Sequence, residues 1–269
     1  MRFRLKSGRC IGYRSAGAGE MLVLLHPIGM DSRFWRPVVN VLAADYRVLT
    51  IDLQGHGDSD ISAEPISLEA MAADCIELIS TIGGSCVVGG CSMGSAVAQV
   101  IASRAPAFLR GAIFANGSGP RVAALGRSDA IEQRARRAER GMPDIAADNI
   151  ERWFSNAFRL SHPDLVDEVR DILLNDDPYV HAQSWRALAA REDRYDRIRV
   201  PALVIGATED VSARPDSVRA LAHALPDATF HLIQGAGHFA PMEKPDAFAA
   251  LVRDFLRERQ IFAPPSLHP

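Results

Sequence analysis

Nine consecutive residues constrain this chain more than any others: Val87-Val88-Gly89-Gly90-Cys91-Ser92-Met93-Gly94-Ser95. An apolar run that passes through Gly-x-Ser-x-Gly into a helical stripe reads as a buried strand turning abruptly into a helix. A strand and a helix crossing that closely leave no room for a Cβ two residues before or after the serine. Gly90 and Gly94 are therefore steric requirements of the turn. The turn pushes the Ser92 hydroxyl away from the backbone and leaves the next amide, that of Met93, free to donate. The pattern alone recurs by chance, so its meaning depends on what surrounds it.

The surroundings alternate strand and helix. Residues 1–20 alternate and contain four glycines, as in an opening antiparallel hairpin. Met21 to Leu25 is continuously apolar, the signature of a strand covered on both faces. After His26-Pro27-Ile28-Gly29, Asp31 or Ser32 can cap a helix carrying Trp35, Val38, Val39 and Leu42. Tyr46 to Ile51 is the next strand, followed by a turn-rich loop, a helix near 68–81, a strand at 86–89, a helix near 93–105 and a strand at 111–115. This order predicts an α/β fold with βαβ units and a mostly parallel sheet flanked by helices.

From about 120 to 196 the strands stop. Residues 144–158 place Ile150, Trp153, Phe154, Ala157 and Phe158 on one helical face. Ser161 with Pro163 opens one further helix, and Asp177-Pro178 another. The sheet pattern resumes at Val200, with a helix near 214–224, a strand at 229–233 and a final helix. The expected division is a core formed by 1–119 and 197–269, with 120–196 as an inserted helical cap.

At 269 residues the chain suffices for one large domain with such an insertion. A net charge of −3 gives no reason to expect nucleic acid or an anionic membrane as partner. Cys10, Cys75, Cys86 and Cys91 have neither CxxC spacing nor clustered histidines, which disfavours zinc or a disulfide framework. The charged start, Met1 to Lys6, has no apolar region behind it, and no apolar run approaches the ~20 residues of a membrane helix. A soluble, cytoplasmic protein is expected.

A serine hydroxyl is a poor nucleophile until an adjacent base takes its proton, and that base needs a third group to orient it. Both must lie on loops at the carboxyl ends of the parallel strands. Ala207-Thr208-Glu209-Asp210 follows one strand, and Gln234-Gly235-Ala236-Gly237-His238-Phe239 follows the next. The chain order is serine, acid, histidine.

Five stretches now carry a resemblance: Leu-Leu-His-Pro-Ile-Gly (24–29), Asp-Leu-Gln-Gly-His-Gly-Asp-Ser (52–59), Gly-Cys-Ser-Met-Gly (90–94), Gly-Ala-Thr-Glu-Asp (206–210) and Gly-Ala-Gly-His-Phe-Ala-Pro-Met-Glu-Lys-Pro (235–245). Over nearly its whole length the chain resembles the α/β-hydrolase fold superfamily. The resemblance implies Ser92 as nucleophile, Asp210 as orienting acid and His238 as general base. It implies an oxyanion hole from the Met93 and Ile28 amides, and neither a metal nor an organic cofactor. The family usually has His-Gly where this chain has His26-Pro27, so the oxyanion loop is expected to be stiffer or differently shaped. Some relatives carry the acid after the strand ending here at Ala115, but Asn116-Gly117-Ser118-Gly119-Pro120 offers none.

The implied reaction is hydrolysis of a small-molecule ester or lactone through an acyl-serine. Short stretches also resemble 3-oxoadipate enol-lactonases. Carbon–carbon bond hydrolases of the family commonly have Asn before the serine and Trp after the histidine, where this chain has Cys91 and Phe239. Perhydrolases share the same triad. A further alternative is a ligand-sensing member of the fold that signals through a partner protein docked on the cap.

Phe239, Met142, Trp153, Phe154 and Trp185 are the candidate pocket side chains, with the cap aromatics also expected to pack one another. His26 and His56 are expected to be structural. Cys91 is expected to pack, since the turn directs residue 92 to the cleft. Arg134, Arg136, Arg137 and Arg140 spread around their helix, which favours a solvated face laced by pairs such as Glu132–Arg136. An anion-steering rim is the other reading of these arginines.

Overall fold

The computed structural model describes residues 1–120 and 127–262. The chain opens with antiparallel strands β1 (Arg2–Arg4) and β2 (Cys10–Ala16). β3 (Met21–Leu25) follows, then a 3₁₀ turn at Ser32–Trp35 leading into α1 (Arg36–Leu42). Asp31 caps that turn by accepting from the Arg33 amide, so the helix expected from this region begins as a tighter coil. β4 (Arg47–Ile51), α2 (Leu68–Ile82), β5 (Cys86–Cys91), α3 (Met93–Ser103) and β6 (Leu109–Ala115) continue the alternation.

Between β6 and the next strand the described residues are helical: α4 (Arg127–Glu139), α5 (Pro143–Trp153), α6 (Asn156–Ser161), α7 (Pro163–Leu174), α8 (Pro178–Ala189) and a 3₁₀ turn at Tyr195–Arg197. β7 (Ala202–Ala207), α9 (Pro215–Ala224), β8 (Ala228–Ile233), α10 (Ala240–Glu243) and α11 (Pro245–Glu258) close the fold.

Among the described residues eight strands form one sheet in the order β1-β2-β4-β3-β5-β6-β7-β8. β2 pairs antiparallel with β4, and every pairing from β4 onward to β8 is parallel. The central strands β3, β5 and β7 are buried at every position, because helices cover both sheet faces. β8 lies at the edge and is only partly covered.

The stripe at 144–158 is not one helix. It breaks after Trp153, where Phe154 is extended (φ −110°, ψ 145°) and Ser155 caps α6 through its side chain. Ile150, Trp153, Phe154 and Phe158 are buried on both sides of the break, so apolar periodicity alone does not reveal it. The break is fixed from outside the segment: Glu243 accepts from the Ser155 amide at 3.1 Å and from its hydroxyl at 2.6 Å. Among the described residues no helix is long and apolar enough to cross a membrane.

Candidate active site

Ser92 occupies the junction of β5 and α3 with φ 53° and ψ −113°, a conformation that L side chains rarely adopt. The flanking glycines make that turn possible. A Cβ on Gly90 would lie 2.2 Å from the Gly94 backbone, and one on Gly94 would lie 2.1 Å from the Leu25 carbonyl oxygen. The helix therefore starts against the end of β3, and Ser92 is lifted clear of both.

Asp210 follows β7 and His238 follows β8, so all three groups reach the same end of the parallel sheet. His238 Nε2 lies 2.9 Å from Ser92 Oγ, and His238 Nδ1 lies 2.8 Å from Asp210 Oδ2. Asp210 is buried and fully engaged. Its Oδ1 accepts from the amides of Ser212 and Ala213 at 2.7 and 2.8 Å, and its Oδ2 also accepts from Asn116 Nδ2 at 2.9 Å. Burial alone would push this carboxyl up. The adjoining His238, the Asn116 amide and the Ala213 amide outweigh burial and hold it below the usual carboxylate range.

Ile28 and Met93 follow the carboxyl ends of the adjacent parallel strands β3 and β5. Met93 is the first residue of α3, where helix amides lack intrahelical acceptors. Ile28 lies in the turn after β3, closed by the Met30 amide donating to Pro27 O at 3.3 Å. His26 Nδ1 also lies 2.8 Å from Pro27 O, while the Leu53 amide donates to His26 Nε2 at 2.9 Å. A carbonyl can only accept and an amide N–H can only donate, so the ring is neutral with its proton on Nδ1. The turn is braced from above as well. Gly29 (φ +71°) packs so closely against α7 and α8 that a Cβ there would lie 2.8 Å from Leu173 and 2.9 Å from His181. Pro27 thus sits in a turn held from both sides.

A cavity of about 290 Å³ opens over Ser92 and His238. Ile28 and Asn116 line it, and Arg134 of α4, Arg152 and Trp153 of α5 and Trp185 of α8 line it as well. Phe239, Met142 and Phe154, expected at the pocket, lie elsewhere. The buried Phe239 ring stacks on Trp153 at 4.7 Å and meets Phe34 and Phe154 edge-on. It ties the loop after β8 to the end of α5, because its own backbone amide donates to Trp153 O at 2.9 Å. Phe154 stacks on Phe158, and Met142 is buried where α5 begins.

Asn116 and Glu243 are the residues sequence reading missed. The loop after β6 offers no carboxylate; its Asn116 is instead an amide that serves one. Glu243 lies in the stretch 235–245 and accepts from the Gly237 amide at 2.9 Å as well as from Ser155. Cys91 is buried, with Sγ 3.7 Å from the His238 carbonyl, and Ser92 alone of the pair lines the cavity.

Residues 22–251 match the model of the alpha/beta hydrolase family. The chain belongs to that family. It is 28% identical over 250 residues to (E)-2-((N-methylformamido)methylene)succinate hydrolase of Acinetobacter baylyi, covering 90% of this chain and 92% of that protein. It is 26% identical to 3-oxoadipate enol-lactonase 1 of the same organism, with 89% of each covered. Among solved structures, an esterase from Thermogutta terrifontis superposes with a TM-score of 0.87 at 28% identity, over 96% of this chain and 98% of that one. The enol-lactonase from Burkholderia xenovorans LB400 gives 0.85 at 28% identity, over 96% and 100%.

Proposed function

We propose that this α/β hydrolase is a serine hydrolase that cleaves a small carboxylic ester or lactone. The observation that carries the reading is the continuous line Ser92 Oγ, His238, Asp210 at 2.9 and 2.8 Å beneath a cavity. Relatives named as an enol-lactonase and an esterase support ester chemistry.

Ser92 Oγ attacks the substrate carbonyl while His238 Nε2 accepts its proton. Asp210, ionised and pinned by three further donors, keeps the ring in the orientation and tautomer that leave Nε2 open. The tetrahedral oxyanion is received by the Met93 and Ile28 amides; loss of one such donor costs about 3–4 kcal/mol of barrier. His238 passes its proton to the leaving oxygen as the C–O bond breaks. Water, deprotonated by the same nitrogen, then attacks the acyl-serine, and Ser92 leaves with the proton restored. In a lactone the leaving oxygen stays tethered to the acyl chain.

A fluorophosphonate probe tests the reading, run beside Ser92→Ala and a panel of short p-nitrophenyl esters and γ-lactones. Wild type is expected to label at one site and to turn over part of the panel, and Ser92→Ala to do neither. Undiminished labelling of Ser92→Ala would remove the nucleophile assignment.

A further inference from the structure

Among the described residues between β6 and β7, four arginines are seen paired with carboxylates: Arg136 with Glu132 at 3.1 Å, Arg137 with Asp148 at 2.7 Å, Arg140 with Asp144 at 3.4 Å and Arg186 with Glu132 at 2.9 Å. Arg134 and Arg152 line the cavity over Ser92, and so does Arg191 just beyond α8. No aspartate or glutamate is among the described lining residues. In a chain with a net charge of −3, the described residues lining the cavity beside Ser92 thus include three arginines and no carboxylate.

The three arginines are not equivalent. Arg191 is committed to structure, donating to the Ser118 and Gly119 carbonyls at 3.2 and 2.9 Å and pairing with Asp193 at 3.1 Å. Arg134 lies over the Trp185 ring at 5.3 Å, an arrangement that keeps a guanidinium flat against the cavity wall. Arg152 is half-buried and donates to the neutral Ser212 hydroxyl at 3.1 Å. Among the described residues no carboxylate lies within ion-pair distance of it. Burial lowers its basicity below that of an ordinary arginine, and the more distant Asp210 and Asp148 only partly counter this. A half-buried guanidinium beside a cavity, with its charge incompletely met, favours an anionic occupant.

We infer that the substrate carries a free carboxylate in addition to the ester or lactone that reacts, and that Arg152, with Arg134, receives it. The cavity suits a short dicarboxylic half-ester or a small carboxylated lactone. This rests on Ser92 and His238 as the reacting pair. It departs from the solvated reading of the 134–140 stretch at one position, since Arg134 lines the cavity.

The test compares monoethyl glutarate with diethyl glutarate by pH-stat initial rates in wild type, Arg152→Gln, Arg152→Lys and Arg136→Gln. The expected kcat/KM ratio, half-ester over diester, is tenfold or more at low salt, arises mainly in KM and shrinks as salt is added. Arg152→Gln lowers the ratio at least tenfold, Arg152→Lys restores part of it, and the outward Arg136→Gln keeps it. Binding is read separately as the melting shift given by glutarate against that given by dimethyl glutarate. A glutarate shift lost in Arg152→Gln, with neither ester hydrolysed, would retain the carboxylate site and remove the hydrolase reading. A ratio near one that Arg152→Gln leaves in place, or an equal fall in Arg136→Gln, overturns the inference.

Discussion

Asn116 and Asp210 stand at the ends of adjacent parallel strands, joined by Asn116 Nδ2–H donating to Asp210 Oδ2 at 2.9 Å. The same oxygen faces His238 Nδ1, so the amide shares the load of holding the carboxylate ionised. Replacing Asn116 with Ala removes a hydrogen bond to a charged acceptor, worth about 1.5 kcal/mol or more. Activity on a simple ester is expected to fall about tenfold, with the acid limb of the pH–rate profile moved upward. Asn116→Asp should move that limb further, because two adjacent carboxyls share a proton more readily than either binds one alone. Profiles of kcat/KM between pH 5 and 8 decide this; an unmoved limb in both variants would mean Asn116 does not act on Asp210.

The order of strands and helices could be read from the sequence because each strand announced itself by composition. Met21–Leu25 and the run ending in Gly206 are apolar throughout, as only doubly covered strands are. The steric reading of Gly90 and Gly94 holds for the same kind of reason: a backbone contact of 2.1 or 2.2 Å leaves one residue type possible. What could not be read was the direction of side chains on the helices between β6 and β7. Trp153 and Phe154 are neighbours on one hydrophobic stripe, yet only Trp153 reaches the cavity. The helix breaks between them on a hydrogen bond to Glu243, nearly ninety residues away in sequence. Arg134 and Arg136 differ in the same way, since helical spacing fixes their angle apart and not which of them meets the core.

Glu243 is a staple between three segments: α10, the start of α6 and the residue preceding His238. Its carboxylate accepts from Ser155 Oγ at 2.6 Å and from the Gly237 amide at 2.9 Å. Glu243→Ala leaves two buried amides and the Ser155 hydroxyl proton without an acceptor, an expected cost of about 3 kcal/mol. For a chain of this size that corresponds to a melting temperature lower by roughly 6–10 °C. Glu243→Gln keeps one acceptor oxygen and should lose less. Scanning calorimetry with kcat and KM reads both effects; kcat should fall more than KM, because the loop that aims His238 loosens. A Glu243→Ala protein melting within a degree of wild type would show that the staple carries no load.

Burial separates the thiols. Cys75, Cys86 and Cys91 are buried, and desolvation raises each thiol, Cys86 to about 12 and the other two well above the ordinary range. A thiol held protonated and enclosed does not react at neutral pH. Cys10, partly exposed on β2, is the exception. Ellman's reagent should therefore titrate at most one thiol in the native protein and all four after denaturation, with ester hydrolysis retained by the native, reacted protein. Fast native modification of a second thiol together with loss of activity would point to Cys91 and away from Ser92.

His26 makes stability depend on pH without touching the reaction. Burial first, and the neighbouring His56 second, lower its pKa from 6.5 to about 4. Geometry explains the direction: a second proton would have to sit on Nε2, which already accepts from the Leu53 amide at 2.9 Å. In the unfolded chain the ring protonates near its ordinary value. Between the two values the unfolded state binds the proton that the native state refuses. The contribution is therefore complete above pH 6.5 and is lost as pH falls toward about 4. A shift of this size corresponds to about 3 kcal/mol. Urea unfolding at steps from pH 8 to 4.5 should show wild type losing stability across that window. His26→Gln should be weaker at pH 8, having traded a fitted ring for a flexible amide, yet lose less on acidification. Equal slopes for the two proteins would place the acid sensitivity on another group.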